Sequence, residues 1–150
     1  MSDDEVLGSI ETQMAMLMRL GEASRRATLA PHRALDRAAY VILRQLEKDG
    51  PLNVSVLAAA LNLDGSTVTR QVTALQKDAL IERRADPTDG RGTVIAATPL
   101  GLTQVDAVRQ ARKVVYGAVL KDYTDDEKKA LADALERFAE ALAEHMRSRV

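Results

Sequence analysis

Between Asp64 and Gly92 the sequence gathers side chains suited to reading a polyanion. Ser66, Thr67, Thr69, Arg70 and Gln71 fall within six residues, and Thr73 and Lys77 follow. Hydroxyls bond phosphates or base edges, arginine pairs bidentately with guanine, and glutamine does so with adenine. No acid falls between Gly65 and Lys77, so nothing on this stretch repels phosphate. On a helix, at about 100° per residue, Val68, Val72 and Leu75 share one side. Ser66, Arg70, Thr73 and Lys77 take the opposite side, with Thr67, Thr69 and Gln71 on the flanks. A Ser/Thr/Arg-rich face is also what an ordinary solvated helix surface looks like.

Catalytic chemistry is hard to assemble from the remaining residues. The chain has no cysteine, which removes thiolate zinc sites, disulfides, cysteine nucleophiles and thiol redox sensing. Its two histidines, His32 and His145, are far apart, and His145 in the last turn of a helix is an ordinary partner for the helix dipole. No metal-spaced cluster and no glycine-rich phosphate loop occurs, so neither a cofactor nor a metal is expected. Four aromatics, Tyr40, Tyr116, Tyr123 and Phe138, are too few for a base-stacking platform.

The elements that position the 64–92 segment are read from periodicity and punctuation. Asn53 caps a short helix over 54–61, Asn62-Leu63-Asp64 makes a tight connection, and Asp64 caps a second helix over 65–78. Residues 80–84 and 93–97 are β-type runs joined by the turn-rich loop 85–92, a hairpin tipped by Arg91. Before this segment, 4–28 reads as a helix with Leu7, Ile10, Met14 and Leu17 on a stripe, its Met run suited to soft core packing. A second helix over 31–48 starts at Pro31, turns Leu35, Ala39, Ile42, Leu43 and Leu46 inward, and stops at Asp49-Gly50-Pro51. Thr98-Pro99 opens a helix over 99–120 with Leu102, Val105, Val108, Val115 and Val119 on one face. Thr124 and Glu127 form a capping box that opens a last helix over 125–148, striped by Leu131, Leu135, Phe138, Leu142 and Met146.

The 150 residues fit one domain, with roughly 70% of the unfolded surface buried on folding. Twenty-four alanines and few aromatics suit close-packed helices. The net charge of −1 conceals a pattern. Residues 1–11 carry four acids and no base, 122–150 carry eight acids and five bases, and 12–121 carry sixteen bases and ten acids. The basic middle suits an anion-binding body, and acidic ends suit either solvated helix ends or parts held away from the anion. The longest uncharged stretches, 50–63 and 92–105, have 14 residues each, short of the about 20 that span a bilayer. The acidic start is unlike a signal peptide, so no membrane partner and a cytoplasmic location are expected.

Residues 51–101 resemble the MarR family of bacterial transcriptional regulators. The resemblance rests on Ser-Thr-Val-Thr-Arg-Gln-Val at 66–72, Leu-Ile-Glu-Arg-Arg at 80–84, Asp89 and Arg91, and Thr-Pro-x-Gly at 98–101. It departs from the family at Gly90, where a bulkier residue is common and a looser tip is expected, and at Ala97, where leucine is usual and thinner packing is expected. The resemblance implies a mainly α fold with a small β-hairpin. A winged helix–turn–helix lobe over 31–98 is joined to dimerisation helices over 1–30 and 99–150. It implies a homodimer that binds double-stranded DNA at a pseudo-palindromic operator, acting as a ligand-responsive repressor. Ser66, Thr67, Thr69, Arg70, Gln71, Thr73 and Lys77 then face DNA. Arg91 enters the minor groove, and Asp89 either braces it or only shapes the turn. A small aromatic or anionic effector would sit near Met14, Met18, Arg25, His32 and Tyr40, positions that ordinary packing and surface charge also explain.

Two other classes compete with a DNA-binding regulator. A winged-helix protein–protein interaction module without enzymatic activity would suit an acidic recognition face, and Arg70 with Lys77 argues against it. A small enzyme lacks its acid, base or nucleophile.

Overall fold

The computed structural model describes residues 1–28 and 35–149. The chain divides before Leu35 into two compact units. In the first, α1 runs over Asp3–Thr28. The Ser2 hydroxyl accepts the Glu5 amide, and the Glu5 carboxylate accepts the Ser2 amide, so each residue covers a donor left over by the helix start. The methionine run does not lie in a core within this chain. Met14 is half-buried, and Met16 and Met18 are exposed, because no other described element of the unit covers them.

The second unit holds α2 (Arg37–Asp49), α3 (Val54–Leu61), α4 (Gly65–Lys77), β1 (Ile81–Ala85), β2 (Thr93–Ala97), α5 (Pro99–Val119) and α6 (Asp125–Arg147). Helix α2 begins later than Pro31, a residue outside those described. Asp36 is extended and its side chain accepts the Ala39 amide at 2.7 Å, so a cap fixes the start at Arg37. Gly50, at φ 77°, ends it.

Ile42 and Leu43 of α2, Leu57 of α3, Val68 and Val72 of α4, Ile81, Ile95 and Val105 are the largest fully buried side chains. Each contributes about 1.5–3 kcal/mol by leaving water. Strands β1 and β2 pair antiparallel with Ile81 opposite Ala97 and Ala85 opposite Thr93. Strand β1 starts at Ile81 rather than Leu80, because Leu80 belongs to the turn that ends α4. Leu52 bonds Ile95 in both directions and ties the hairpin to the chain that precedes α3. Ala97 is half-buried against the core edge.

Only the first half of α5 joins this core. Gly101 and Val105 are buried, whereas Leu102 and Val119, expected inward, are exposed. The register that seats Gly101 against Leu80 turns Leu102 out, and by Val119 the helix has passed beyond the core elements. Helix α6 carries the expected capping box, and none of its described residues is buried.

Candidate nucleic-acid interface

Helix α3, a left-handed Asn62 and Asp64 deliver α4 at a fixed angle. Asn62 takes φ 55° and ψ 42°, a conformation asparagine tolerates, and its amide closes α3 on Ala58 and Ala59. Asp64 then accepts three bonds: the Ser66 hydroxyl at 2.6 Å, the Thr67 amide at 2.8 Å and the Thr67 hydroxyl at 3.0 Å. The Ser66 hydroxyl, followed by the Thr67 amide and hydroxyl, pushes the Asp64 carboxyl down to about 2. Ser66 and Thr67 therefore spend their donor protons on the cap, and their oxygens remain as acceptors.

Val68, Val72 and Leu75 face inward, as the periodicity requires. Ser66, Thr69, Arg70, Thr73 and Lys77 are exposed, and Thr67 and Gln71 are half-buried. The Thr73 hydroxyl donates to the Thr69 carbonyl at 2.9 Å, a bond back onto its own helix. Arg70 and Lys77 have no hydrogen bond or ion pair with the described residues. They are the two cations of this face left available to an outside anion.

The hairpin stands beside α4. Arg83, two residues after buried Ile81, donates through Nε to Gln76 Oε1 at 3.0 Å, linking β1 to the exposed side of α4. Arg84 pairs with Glu82 on the other strand face. Arg83 and Gln76 escaped the sequence reading as site residues. The available signal was the alternation along β1, which puts Arg83 on the face of Ile81.

At the loop, Asp86 accepts the Thr88 amide and hydroxyl and, at 3.4 Å, the Asp89 amide, which holds its carboxyl below the usual range. Asp89 accepts the Arg91 backbone amide at 3.1 Å rather than its guanidinium. In the free chain Asp89 thus shapes the turn, and exposed Arg91 carries no ionic brace, because the carboxylate is closer to the next loop amide. Gly90 faces open space between these bonded residues.

Of the residues expected around an effector, Met14 and Met18 lie on α1, in one unit, and half-buried Tyr40 lies on α2, in the other. His32 and the Arg25 side chain are outside the described residues. The Arg112 guanidinium of α5 sits 4.4 Å from the Tyr40 ring centroid. Nearby, Arg109 bonds Glu47 at 2.8 Å and Asp106 at 2.7 Å, clamping α5 to α2. Those bonds lower the Glu47 and Asp106 carboxyls and raise the Arg109 guanidinium. An open indentation of about 480 Å³ runs along α2 beside Tyr40, Val41, Arg44 and Lys48. Among the described residues no acidic or histidine group is arranged to hold a metal, and no helix is long and apolar enough to cross a membrane.

A two-helix turn with an acid-free outer face and a flanking hairpin defines a winged helix–turn–helix protein. The sequence profile of the MarR family matches residues 35–93. The uncharacterized HTH-type transcriptional regulator YxaD of Bacillus subtilis is 39% identical over 107 residues, covering 71% of this chain and 75% of that protein. The HTH-type transcriptional repressor IacR of Pseudomonas putida is 24% identical over 68% of this chain and 61% of its own length. A solved MarR family protein from Bacillus stearothermophilus superposes with a TM-score of 0.79 at 19% identity, over 95% of this chain and 99% of that one. The chain belongs to the MarR family of DNA-binding transcriptional regulators.

Proposed function

We propose that the chain works as a homodimer that represses transcription, its two lobes gripping the halves of a pseudo-palindromic operator. The observation that carries this is the outer face of α4: no acid over Gly65–Lys77, two cations that make no hydrogen bond or ion pair among the described residues, and a hairpin bearing Arg83, Arg84 and Arg91 alongside. Helix α4 enters the major groove. Arg70 reads a base edge, Gln71 and Thr69 lie beside it, Lys77 meets a phosphate, and the Ser66, Thr67 and Thr73 hydroxyl oxygens, their protons spent within the chain, face donor groups of base edges. Arg91 reaches the adjacent minor groove with Asp89 holding its loop. Residues 31–98 supply the lobe, with the start of α5 packed into its core, and 1–30 with the remainder of 99–150 supply the dimer. The exposed stripe of α6 supports that division, since Leu131, Leu135, Phe138, Leu142 and Met146 lie on one side and are all solvent-facing in the single chain. Repression is supported by the relative from Pseudomonas putida that carries that name. A cytoplasmic location follows from access to the chromosome.

Selection of duplexes from a random pool by the purified full chain tests this reading. The expected product is an inverted repeat with half-site centres about 10 bp apart, bound more weakly as salt rises. A pool without an enriched motif overturns it.

A small aromatic or anionic effector completes the proposal, supported by the indentation lined by Tyr40, Arg44 and Lys48, in which Glu47 pairs with Arg44 and leaves Lys48 as the cation for an anionic group. Benzoate titrated against the operator complex should release the duplex, and unchanged affinity at saturation removes this part alone.

A further inference from the structure

The turn between α4 and β1 is held in an unusual way. It closes α4 with the Leu80 amide on the Leu75 carbonyl and the Ala79 amide on the Gln76 carbonyl, the pair of bonds that needs a left-handed residue between them. Ala79 supplies that residue at φ 60°, where glycine is the ordinary choice. The cost of a left-handed alanine is met from outside the turn, by the start of α5. The Thr98 hydroxyl donates to the Ala79 carbonyl at 2.6 Å, and the Thr98 amide donates to the Leu80 carbonyl at 3.1 Å. The same hydroxyl accepts the Gly101 amide at 3.0 Å and so caps α5. Gly101 makes the approach possible, because a Cβ there would lie 2.1 Å from the Leu80 carbonyl oxygen. One hydroxyl therefore faces two elements at once: it finishes the recognition helix and begins α5.

We propose that Thr98 is a positioning residue for DNA reading, its hydroxyl latching the α4–β1 turn onto α5 so that recognition helix and hairpin are carried by α5 as one piece. This rests on the reading of α4 and the hairpin as the DNA-facing elements. Thr98 itself touches no base or phosphate. It acts by keeping the end of α4 and the start of β1 at one distance from α5, which leads away toward the C-terminal helix. The Gln76–Arg83 bond lies across the same turn, so a turn free to shift would also move Arg83 relative to α4.

Thr98→Ser and Thr98→Asp separate the latch from the cap. Both cap a helix well, but serine keeps the donor to Ala79 and an ionised aspartate has none. An Ala79→Gly host removes the left-handed strain and keeps the Thr98→Asp chain folded. Hydrogen exchange at the Ala79, Leu80, Thr98 and Gly101 amides, and titrations of a selected operator and a random duplex, are read on every chain. In the Thr98→Asp chain the Ala79, Leu80 and Thr98 amides should exchange faster while Gly101 stays protected. Operator binding should weaken by about three- to tenfold relative to the random duplex. Thr98→Ser should match the parent in both measurements. Unchanged turn exchange in Thr98→Asp, or unchanged preference for the operator, overturns the latch. A parent chain that prefers no duplex instead overturns the DNA-binding reading beneath it.

Discussion

The lobe and the C-terminal helix of the same unit solve the burial problem in opposite ways. From Leu35 to Val105 most of each apolar stripe finds cover within the chain: Ile42, Leu43, Leu57, Val68, Val72, Ile81 and Ile95 are essentially inaccessible, and Leu102 is the stripe position left out. Helix α6 has an equally regular stripe, yet Leu131, Leu135, Phe138, Leu142 and Met146 are each about 40–50% exposed. Periodicity alone does not separate these cases. It states that a face must be covered, and the number of elements within reach decides whether the chain covers it or a second copy must. Stability of the lobe should therefore be intramolecular, and that of α6 concentration-dependent.

The strongest break of this contrast is Phe138→Glu. A carboxylate in the middle of the α6 stripe should weaken the proposed dimer by on the order of a hundredfold or more. Sedimentation over a range of concentrations reads the shift, and circular dichroism should show the helices of the lobe retained. A chain that stays equally dimeric removes α6 from the interface.

Gly101→Ala is the corresponding break inside the lobe. The added Cβ meets the Leu80 carbonyl at 2.1 Å and the Leu43 side chain at 3.2 Å, and a backbone carbonyl cannot step aside as a side-chain end can. The expected loss is about 2–3 kcal/mol, seen as a melting temperature lower by roughly 5–10 °C. A melt that matches the parent shows that α5 can slide off the turn at little cost.

Arg70→Ala touches neither core nor interface and sharpens the comparison from the functional side. It should cost about 1–3 kcal/mol in operator binding and relax preference at one position per half-site, with melting and dimerisation unchanged. The same selected motif at equal affinity removes Arg70 from base reading.

Much of the lobe is legible in the sequence. Side-chain caps at Asn53, Asp64, Thr98 and Thr124 fall where Ser, Thr, Asp or Asn precedes an apolar period, because a cap is a local bond between neighbours. The core list follows from the same periods. Part of what escaped depends on partners distant in sequence. The Thr98 to Ala79 bond spans 19 residues, and no local pattern announces that Ala79 is left-handed. The start of α2 at Arg37 is hidden in the sequence because Pro31 offers an earlier first turn, and a periodic pattern does not show that Asp36 caps rather than continues the helix. At Asp89 both a brace and a turn are open in the sequence, since amide and guanidinium of Arg91 lie at the same sequence distance, and in the free chain the carboxylate accepts the amide.

The smallest effect concerns the cap of α4 and separates lobe from dimer by pH. Asp64 titrates at about 2 in the folded chain against an ordinary 3.8, because the charged form holds Ser66 and Thr67. Its contribution is therefore fully present above about pH 4 and is lost as pH falls toward 2. Asp64→Asn caps nearly as well and does not titrate. The parent should melt above Asp64→Asn at neutral pH, and it should lose that margin between about pH 4 and 2. Other carboxylates lowered by hydrogen bonds, among them Glu47, Asp86 and Asp106, act on both chains alike. The difference between the two melting curves thus isolates the cap. Because α4 belongs to the self-covered lobe, this difference should not depend on protein concentration, whereas acid dissociation of the dimer would. Parallel curves down to pH 2 would mean that Ser66 and Thr67 hold α4 without the charge. A margin that varies with concentration would place the acid-sensitive contact at the interface of the two copies instead.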